Sequence, residues 1–495
     1  MNINIPFVDA FLNRITMYRL VLYHLTVLFI VSCIYSLFGV LSYSLLNILF
    51  SAVIILAVCW AANEAGARLF NVTANVESVY ITGFILALIM TPVAPSNFHG
   101  ALMLALAAFV AMASKYILTL SNKHIFNPAA LGVAVTGIVF GSYASWWVGG
   151  NLALMPFVLV GGLLIVRKIQ RFDMLAVFAV VALAGISIEF LPLSPLSTIQ
   201  DIFVHSSLLF MGTVMLTEPL TSPPSRLHRC IYGALVGFFF IPHIHIGSFY
   251  TSPELALVIG NVYAYFTSPN SRRMLTLVET KRIAENVYDF TFAPDKPLVF
   301  RAGQYLEWTL GHIPSDSRGN RRYFTIASAP TEKELHLGIK TYDPSSSFKK
   351  ALLAMQPGDK IFVGQLSGEF TLPKNPNQKL AFIAGGIGVT PFRSMVQHMI
   401  DTKDERNAVL LYSTKSPAEV AYKEVFDDAE KLLGMKTYYT NSLDKDALMR
   451  EVPDYRERMF YLSGPRGMVV AFEKTLKQLG VPSHKIKIDF FPGFA

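Results

Sequence analysis

The chain has 495 residues, 53% hydrophobic and 15% charged, with 42 Lys and Arg against 34 Asp and Glu and a net charge of +8. The basic residues form no contiguous stripe, which excludes nucleic acid as the partner and leaves membrane topology as the reading of the charge. Cys33, Cys59 and Cys230 lack the paired spacing of iron-sulfur or zinc sites, so no metal is expected and the three are read as buried thiols.

The character of the chain changes near Arg272, because only 10 basic and 8 acidic residues fall in the first 270 positions. Apolar stretches approaching the 20 or so residues needed to cross a bilayer fall at 17–38, 41–62, 78–92, 97–119, 126–142, 152–167, 172–192, 201–218, 229–247 and 253–268. Ten crossings are predicted for a transmembrane domain over 1–270. Arg14, Arg19, Arg68, Lys115, Lys123, Arg167, Lys168, Arg171, Arg226, Arg229, Arg272 and Arg273 then all lie on one side. By the positive-inside rule that side is the cytoplasm. The expected location is a bacterial-type inner membrane, multi-pass, with the C-terminal part in the cytoplasm beside its pyridine nucleotides. No cleavable signal is expected, since the first apolar run is too long and lacks a small-residue cleavage pattern.

Two spans look broken. The third reaches Thr91-Pro92 and Pro95, and the eighth ends in Thr217-Glu218-Pro219, Thr221, Pro223 and Pro224. Each is the third of five spans in its half, so an inverted repeat would place the breaks toward opposite membrane surfaces. Such backbone is tolerated against protein or a polar cavity, which makes the pair a pointer to a ligand; the plain alternative is two helix ends at loop prolines. A third stretch, Lys123-His124-Ile125-Phe126-Asn127-Pro128-Ala129-Ala130, sets proline at a first helical turn with amides beside a lysine. It reads either as a hold for a phosphate or flavin edge or as a capped helix start.

With Met90-Thr91-Pro92 and Thr217-Glu218-Pro219-Leu220-Thr221-Ser222-Pro223, that stretch resembles the membrane flavoprotein family shared by the Rnf electron-transport complex and the sodium-pumping NADH:quinone reductase. The resemblance covers about residues 10 to 270. It implies a polytopic α-helical membrane domain of about ten helices in an inverted repeat, with FMN esterified to a threonine in an S-G-A-T stretch. This chain has no S-G-A-T. The membrane domain is therefore expected to hold FMN or riboflavin without a covalent link.

After Arg273, short alternating runs at 282–284 and 287–292, broken by Pro and Gly, predict an antiparallel β-barrel over 276–375. Buried strands alternating with helices follow at 380–384, 408–413, 435–440 and 459–463, an α/β nucleotide-binding layout over 376–495. Gly303-Gln304-Tyr305 ends an extended run. In Arg322-Tyr323-Phe324-Thr325-Ile326-Ala327-Ser328, alternation puts Arg322 and Phe324 on one side and Thr325 on the other. Arginine can bridge a pyrophosphate, an aromatic can stack on an isoalloxazine and a hydroxyl can reach flavin N5, against the alternative of a simple sheet face. Ser345-Ser346-Ser347-Phe348 opens a predicted helical stretch ending at Pro357-Gly358-Asp359, with hydroxyls and amides suited to a second phosphate. Gly368-Glu369-Phe370 comes next. Ala384-Gly385-Gly386-Ile387-Gly388-Val389-Thr390-Pro391 then follows an apolar strand and opens a helix, so its backbone can approach a pyrophosphate, and Pro391 suits the first helical position.

In that order, followed by Ser463-Gly464-Pro465 with Met468 and by Asp489-Phe490-Phe491-Pro492-Gly493-Phe494, these motifs closely resemble the ferredoxin-NADP reductase superfamily across residues 276 to 495. The resemblance implies FAD on the barrel, with Arg322 on its pyrophosphate, Phe324 and Thr325 at the isoalloxazine and Ser346 or Ser347 at the phosphates. It places NAD(P)H at Gly385, Gly386, Gly388, Thr390, Gly464 and Pro465; Phe491 or Phe494 either covers the flavin ring or makes ordinary terminal packing. Phe324, Thr325 and Ser463 form the expected catalytic set. Phe324 replaces the common tyrosine, Thr325 the common serine, and Ser463 stands where many members have cysteine. Arg393, Lys415 and Arg466 are candidates to meet a 2'-phosphate or are plain surface charges.

The expected activity is FAD-dependent NAD(P)H oxidation, with hydride passing to FAD and electrons then passing singly to the membrane flavin and on to a quinone or a redox-protein acceptor. A haem-containing ferric or oxygen reductase is one rival, for which only His228 with His243 comes near the required histidine spacing. A redox-driven ion transporter is another, for which Glu218 reads either as a cation or proton site or, the favoured alternative, as a polar helix end.

Overall fold

The computed structural model describes residues 6–12, 15–70, 76–120, 123–190, 206–242, 244–247, 249–268, 273–314, 316 and 319–489. The chain forms two compact units, Met1–Ser271 and Arg272–Ala495.

The first unit is helical: α1 (Pro6–Leu12), α2 (Met17–Leu37), α3 (Leu45–Leu69), α4 (Val76–Ile89), α5 (Phe98–Ile117), α6 (Pro128–Phe140), α7 (Met155–Ile169), α8 (Phe172–Phe190), α9 (Leu208–Phe210), α10 (Arg226–Phe239) and α11 (Pro253–Thr267). Side-chain caps explain many starts: Thr16, Ser44, Asn97, Asn127, Ser225 and Ser252 each accept a first-turn amide. Three helices, α2, α3 and α5, are long and apolar enough to cross a membrane, with 21, 25 and 20 residues and mean hydropathy of 2.1, 2.5 and 1.7. Ten crossings of full length are thus not what the described helices provide. The others are cut short by local chemistry, as where α4 stops ahead of Pro92 and α6 runs from Pro128 to a left-handed Gly141. In the eighth span a π-helix over Met211–Met215 precedes the predicted break, where the chain from Thr217 to Pro224 runs through turns, and residues 201–205 of that span lie outside the described residues.

Helix pairing repeats along this unit. α2 packs on α4, α3 on α5 and α5 on α6; α7 packs on the π-helical segment, α8 on α10 and α10 on α11. The two sets meet through α2 with α7 and α6 with α11. Close approach uses small residues: a Cβ on Gly132 would lie 2.4 Å from the Ala107 carbonyl oxygen, and one on Gly233 2.6 Å from that of Met174. Ion pairs tie helix ends together. Arg19 meets Glu77 at 3.5 Å, Arg167 meets Asp9 at 2.8 Å and Arg229 meets Asp173 at 2.9 Å.

The second unit contains two sheets. The first is six-stranded and antiparallel, built from β1 (Arg273–Ala284), β2 (Val287–Pro294), β3 (Tyr305–Thr309), β4 (Arg321–Thr325), β5 (Leu335–Lys340) and β6 (Lys360–Ser367) in the order β4-β3-β6-β1-β2-β5. Just past β4, the Ala327 N–H donates to the His336 carbonyl on β5 at 2.9 Å, drawing the outer strands together. Phe290, Phe292, Trp308 and Phe348 fill its interior. Phe348 comes from α12 (Ser347–Leu353), which is shorter than the predicted helical stretch to Pro357 because the chain turns at 356–359.

The second sheet is parallel: β7 (Leu380–Gly385), β8 (Ala408–Ser413), β9 (Lys436–Thr440), β10 (Met459–Ser463) and β11 (Ile486–Ile488) in the order β9-β8-β7-β10-β11. Every residue of β7 is buried, as a central strand covered on both faces requires. Phe392, Met395 and Met399 of α13 (Thr390–Thr402) pack with Phe382 on one face. Val469, Phe472 and Leu476 of α14 (Arg466–Gln478) pack with Ile383 on the other.

Candidate functional site

The neighbours β7 and β10 send their connections toward opposite edges of the sheet. The crevice beyond their carboxyl ends is therefore the switch point at which open α/β sheets take ligands. β7 runs into Gly385 and a tight turn over Gly386–Val389, while β10 runs into Ser463, Gly464 and Pro465. A Cβ on Gly388 would lie 2.5 Å from both the Cα and the nitrogen of Gly464 and 2.7 Å from the Ser463 carbonyl carbon. One on Gly385 would lie 2.7 Å from Met468 Sδ and 2.8 Å from Pro465 Cδ. The two turns thus touch backbone to backbone, which only glycine permits. Gly386 differs: its φ is +52°, and a Cβ there would have no atom within 4 Å. That edge of the turn is open, which leaves room for the close backbone approach of a dinucleotide pyrophosphate. Thr390 is largely buried, and its hydroxyl donates to the Ile387 carbonyl at 3.2 Å, bracing the turn from within.

On the barrel, the alternation read from sequence appears in the contacts of β4. Arg322 lies over the Phe348 ring at 5.3 Å and Phe324 is 5.9 Å from the same ring, while Thr325 is buried. Arg322 Nη2 and the Ser347 N–H both donate to Asp316, at 3.2 and 3.1 Å. The donors that the resemblance assigns to a flavin pyrophosphate therefore already converge on one carboxylate, so this donor set fits a bound anion. The Ser347 hydroxyl accepts the Asp316 N–H at 2.9 Å and lies 2.8 Å from His312 Nε2. Ser346 caps α12 by accepting the Lys349 N–H at 3.4 Å.

Ser463 donates its hydroxyl to Asp489 Oδ2 at 2.9 Å. Burial pushes the Asp489 carboxyl up to about 7, against the opposing hydrogen bond from Ser463. Phe491 and Phe494 lie outside the described residues. Arg393 is corrected: it is 8% exposed, faces the barrel and pairs with Glu332, so it is no surface charge and does not present itself to a 2'-phosphate.

In the helical unit, two of the three stretches singled out from sequence meet. Asn127 Nδ2 and Thr221 Oγ1 donate to Glu218 Oε2 at 2.8 and 3.0 Å, and the Asn127 N–H donates to Asn261 Oδ1 at 2.8 Å. Asn261 Nδ2 reaches the Thr221 carbonyl and the Tyr232 hydroxyl, both at 3.1 Å. Ahead of the Met90-Thr91-Pro92 stretch, the last turn of α4 has partners of its own. There Trp146 N–H donates to the Ile89 carbonyl at 2.8 Å and Trp147 Nε1 to that of Ala87 at 3.2 Å, closing the end of α4.

Asp316 and Asp489 were not among the residues picked out as sites from sequence. Asp489 does open the terminal motif, but its partnership depends on β11 lying beside β10. Asp316 lies in a loop with no pattern of its own.

Residues 382–474 match the family described as the oxidoreductase NAD-binding domain. A flavohemoprotein of Pseudomonas putida is 26% identical over 236 residues, covering 44% of this chain and 59% of that protein. The phenol hydroxylase P5 protein of Acinetobacter pittii is 28% identical over 159 residues, covering 32% and 43%. Among solved structures, the cytochrome P450 reductase GcoB of Amycolatopsis aligns with a TM-score of 0.41 and 23% identity, over 46% of this chain and 71% of that one. The chain spans 59% or less of the length of these two curated relatives. The matched family is thus that of an oxidoreductase NAD-binding domain, and the match lies within the C-terminal unit.

Proposed function

We propose that the chain is a membrane-bound NAD(P)H oxidoreductase that passes electrons from cytoplasmic NAD(P)H through FAD to a flavin in the helical unit, and on to a quinone or an outward-facing acceptor. The observation that carries the reading is the backbone contact of the Gly388 and Gly464 turns at the switch point, with the open cradle at Gly386 beside it. FAD, when bound, supplies the conversion between a two-electron hydride and single electrons. Arg322 and the Ser347 amide would hold its pyrophosphate, and Phe324 and Thr325 would meet its isoalloxazine. The Gly385–Gly388 turn binds the nucleotide, Gly464 and Pro465 close the other wall, and Ser463 with Asp489 holds a proton at the rim of that wall.

For the helical unit, support comes from the resemblance to the membrane flavoproteins of the Rnf complex and the sodium-pumping reductase. The repeated helix pairings suit an inverted repeat. The ion pairs joining the arginine-bearing helix ends suit one shared cytoplasmic face. The Asn127, Glu218 and Asn261 network is the polar interior at which a non-covalent FMN or riboflavin would be held.

Full-length protein in lipid, given FAD and ferricyanide, is expected to oxidise NADH or NADPH; folded, flavin-loaded protein that oxidises neither refutes the reading. The flavohemoproteins among the relatives support a haem-containing reductase as the second reading. Of its histidine pair, His228 Nδ1 lies 2.8 Å from the Tyr263 hydroxyl and His243 lies outside the described residues. A Soret band in purified protein would favour it.

A further inference from the structure

A largely buried polar latch joins the barrel to the nucleotide-binding domain, and none of its members is among the residues assigned above to either cofactor. Arg393, in the first turn of α13, sends Nη2 to Glu332 Oε1 at 2.9 Å and Nη1 both to Glu332 Oε2 and to the Ala327 carbonyl, the latter at 3.1 Å. Glu332 also accepts the Ala329 N–H. The next residue, Ser394, donates to the Ser328 carbonyl at 2.6 Å, and the Ser328 hydroxyl accepts the His336 N–H at 3.1 Å. Behind them, Asp289 lies 2.6 Å from His336 Nδ1 and accepts the Tyr422 hydroxyl at 2.6 Å, while the Arg393 guanidinium sits 5.7 Å over the Tyr422 ring. Ser328 and Ser394 are fully buried.

The positions of these groups in the chain give them meaning. Ala327 and Ser328 directly follow β4, the strand of Arg322, Phe324 and Thr325. Arg393 and Ser394 lie in the first turns of α13, the helix that the Gly385–Gly388 turn opens. The latch therefore ties the exit of the flavin strand to the exit of the nucleotide turn. Burying such a pair is weak as a source of stability, because the desolvation of both charges offsets their attraction. A planar two-nitrogen fork, by contrast, fixes distance and orientation, and a lysine offers one point charge in its place. Burial alone would raise the Asp289 carboxyl, yet hydrogen bonding to His336 and Tyr422 and the charges of His336 and Arg393 outweigh it and hold it below the usual carboxylate range. It stays charged and keeps its two partners in place.

We propose that Arg393 and Glu332 are positioning residues for hydride transfer, setting the spacing between the nucleotide turn and the flavin strand without touching either cofactor. The positioning role rests on the oxidoreductase reading above; the latch itself does not. The test uses full-length wild type, Arg393→Gln, Arg393→Lys and Glu332→Gln, with amide hydrogen exchange and steady-state NAD(P)H oxidation measured on the same preparations. Arg393→Gln and Glu332→Gln are expected to speed exchange about tenfold or more in segments 326–330 and 386–394, leaving β3 and β8 unchanged. They should lower kcat about tenfold or more while KM changes less than about threefold, with Arg393→Lys recovering part of the loss. Unchanged exchange in the two segments, faster exchange across the whole unit, or a rise in KM at unchanged kcat would each overturn the proposal. A wild type that oxidises neither nucleotide refutes the function instead, while the exchange comparison still decides the latch.

Discussion

Replacing Gly388 with alanine adds a single methyl group at the point where the two turns meet. That methyl would stand 2.5 Å from Gly464 Cα and nitrogen, against main chain that cannot swing aside as a side chain could. Ordinary carbon contacts begin near 3.5 Å, so the turns must part by roughly 1 Å. Overpacking of this kind costs about 1–3 kcal/mol of stability. The loss of function should be larger, because a displacement of about 1 Å near the chemistry can lower the rate about 100-fold. Gly467→Ala serves as the control, since a Cβ there meets nothing within 4 Å and the residue lies in α14. In full-length protein, Gly388→Ala should lower kcat/KM for NAD(P)H by about 100-fold with FAD retained, while Gly467→Ala stays within about threefold of wild type. Gly388→Ala with wild-type kcat/KM would refute the argument that these turns form the nucleotide wall.

Other outcomes follow from the same geometry. Gly386→Glu, which places a carboxylate into the open cradle, should abolish NAD(P)H oxidation while Gly386→Ala, sharing the same backbone strain at φ +52°, keeps part of it; equal activities would show that the cradle is not used. Asp489 is raised to about 7 from 3.8, so its contribution to stability is complete below pH 3.8 and is lost as pH rises through 7. Asp489→Asn should therefore flatten the fall in melting temperature between about pH 4 and 7, and an unchanged slope would contradict the assignment. Arg322→Ala should weaken FAD retention far more than NAD(P)H binding, as measured by flavin content after dialysis. With no S-G-A-T stretch, acid precipitation should release all flavin; fluorescence remaining with the chain in a denaturing gel would show a covalent link.

Much of the C-terminal unit could be read from sequence because its signals are local. The continuous apolar run of β7 followed by Gly385-Gly386-Ile387-Gly388 specifies strand, turn and helix within a dozen residues, and the alternation of Arg322 and Phe324 survives in their shared contact with Phe348. What sequence did not reveal depends on strands or domains far apart in the chain. Ser463 meets Asp489 across neighbouring strands, and Arg393 looks like a surface charge until Glu332 is brought 61 residues back to it. In the helical unit, hydropathy marks apolar runs but not where a helix ends. Asn127, Gly141 and the π-turn at Met211–Met215 set those limits, so ten apolar runs contain three helices of full spanning length among the described residues.

The most direct test of the central claim is the identity of the flavins extracted from purified, full-length protein. The account predicts FAD together with FMN or riboflavin, both reduced on addition of NAD(P)H under anaerobic conditions. FAD alone, or FAD with a haem Soret band, would contradict a flavin relay in the helical unit.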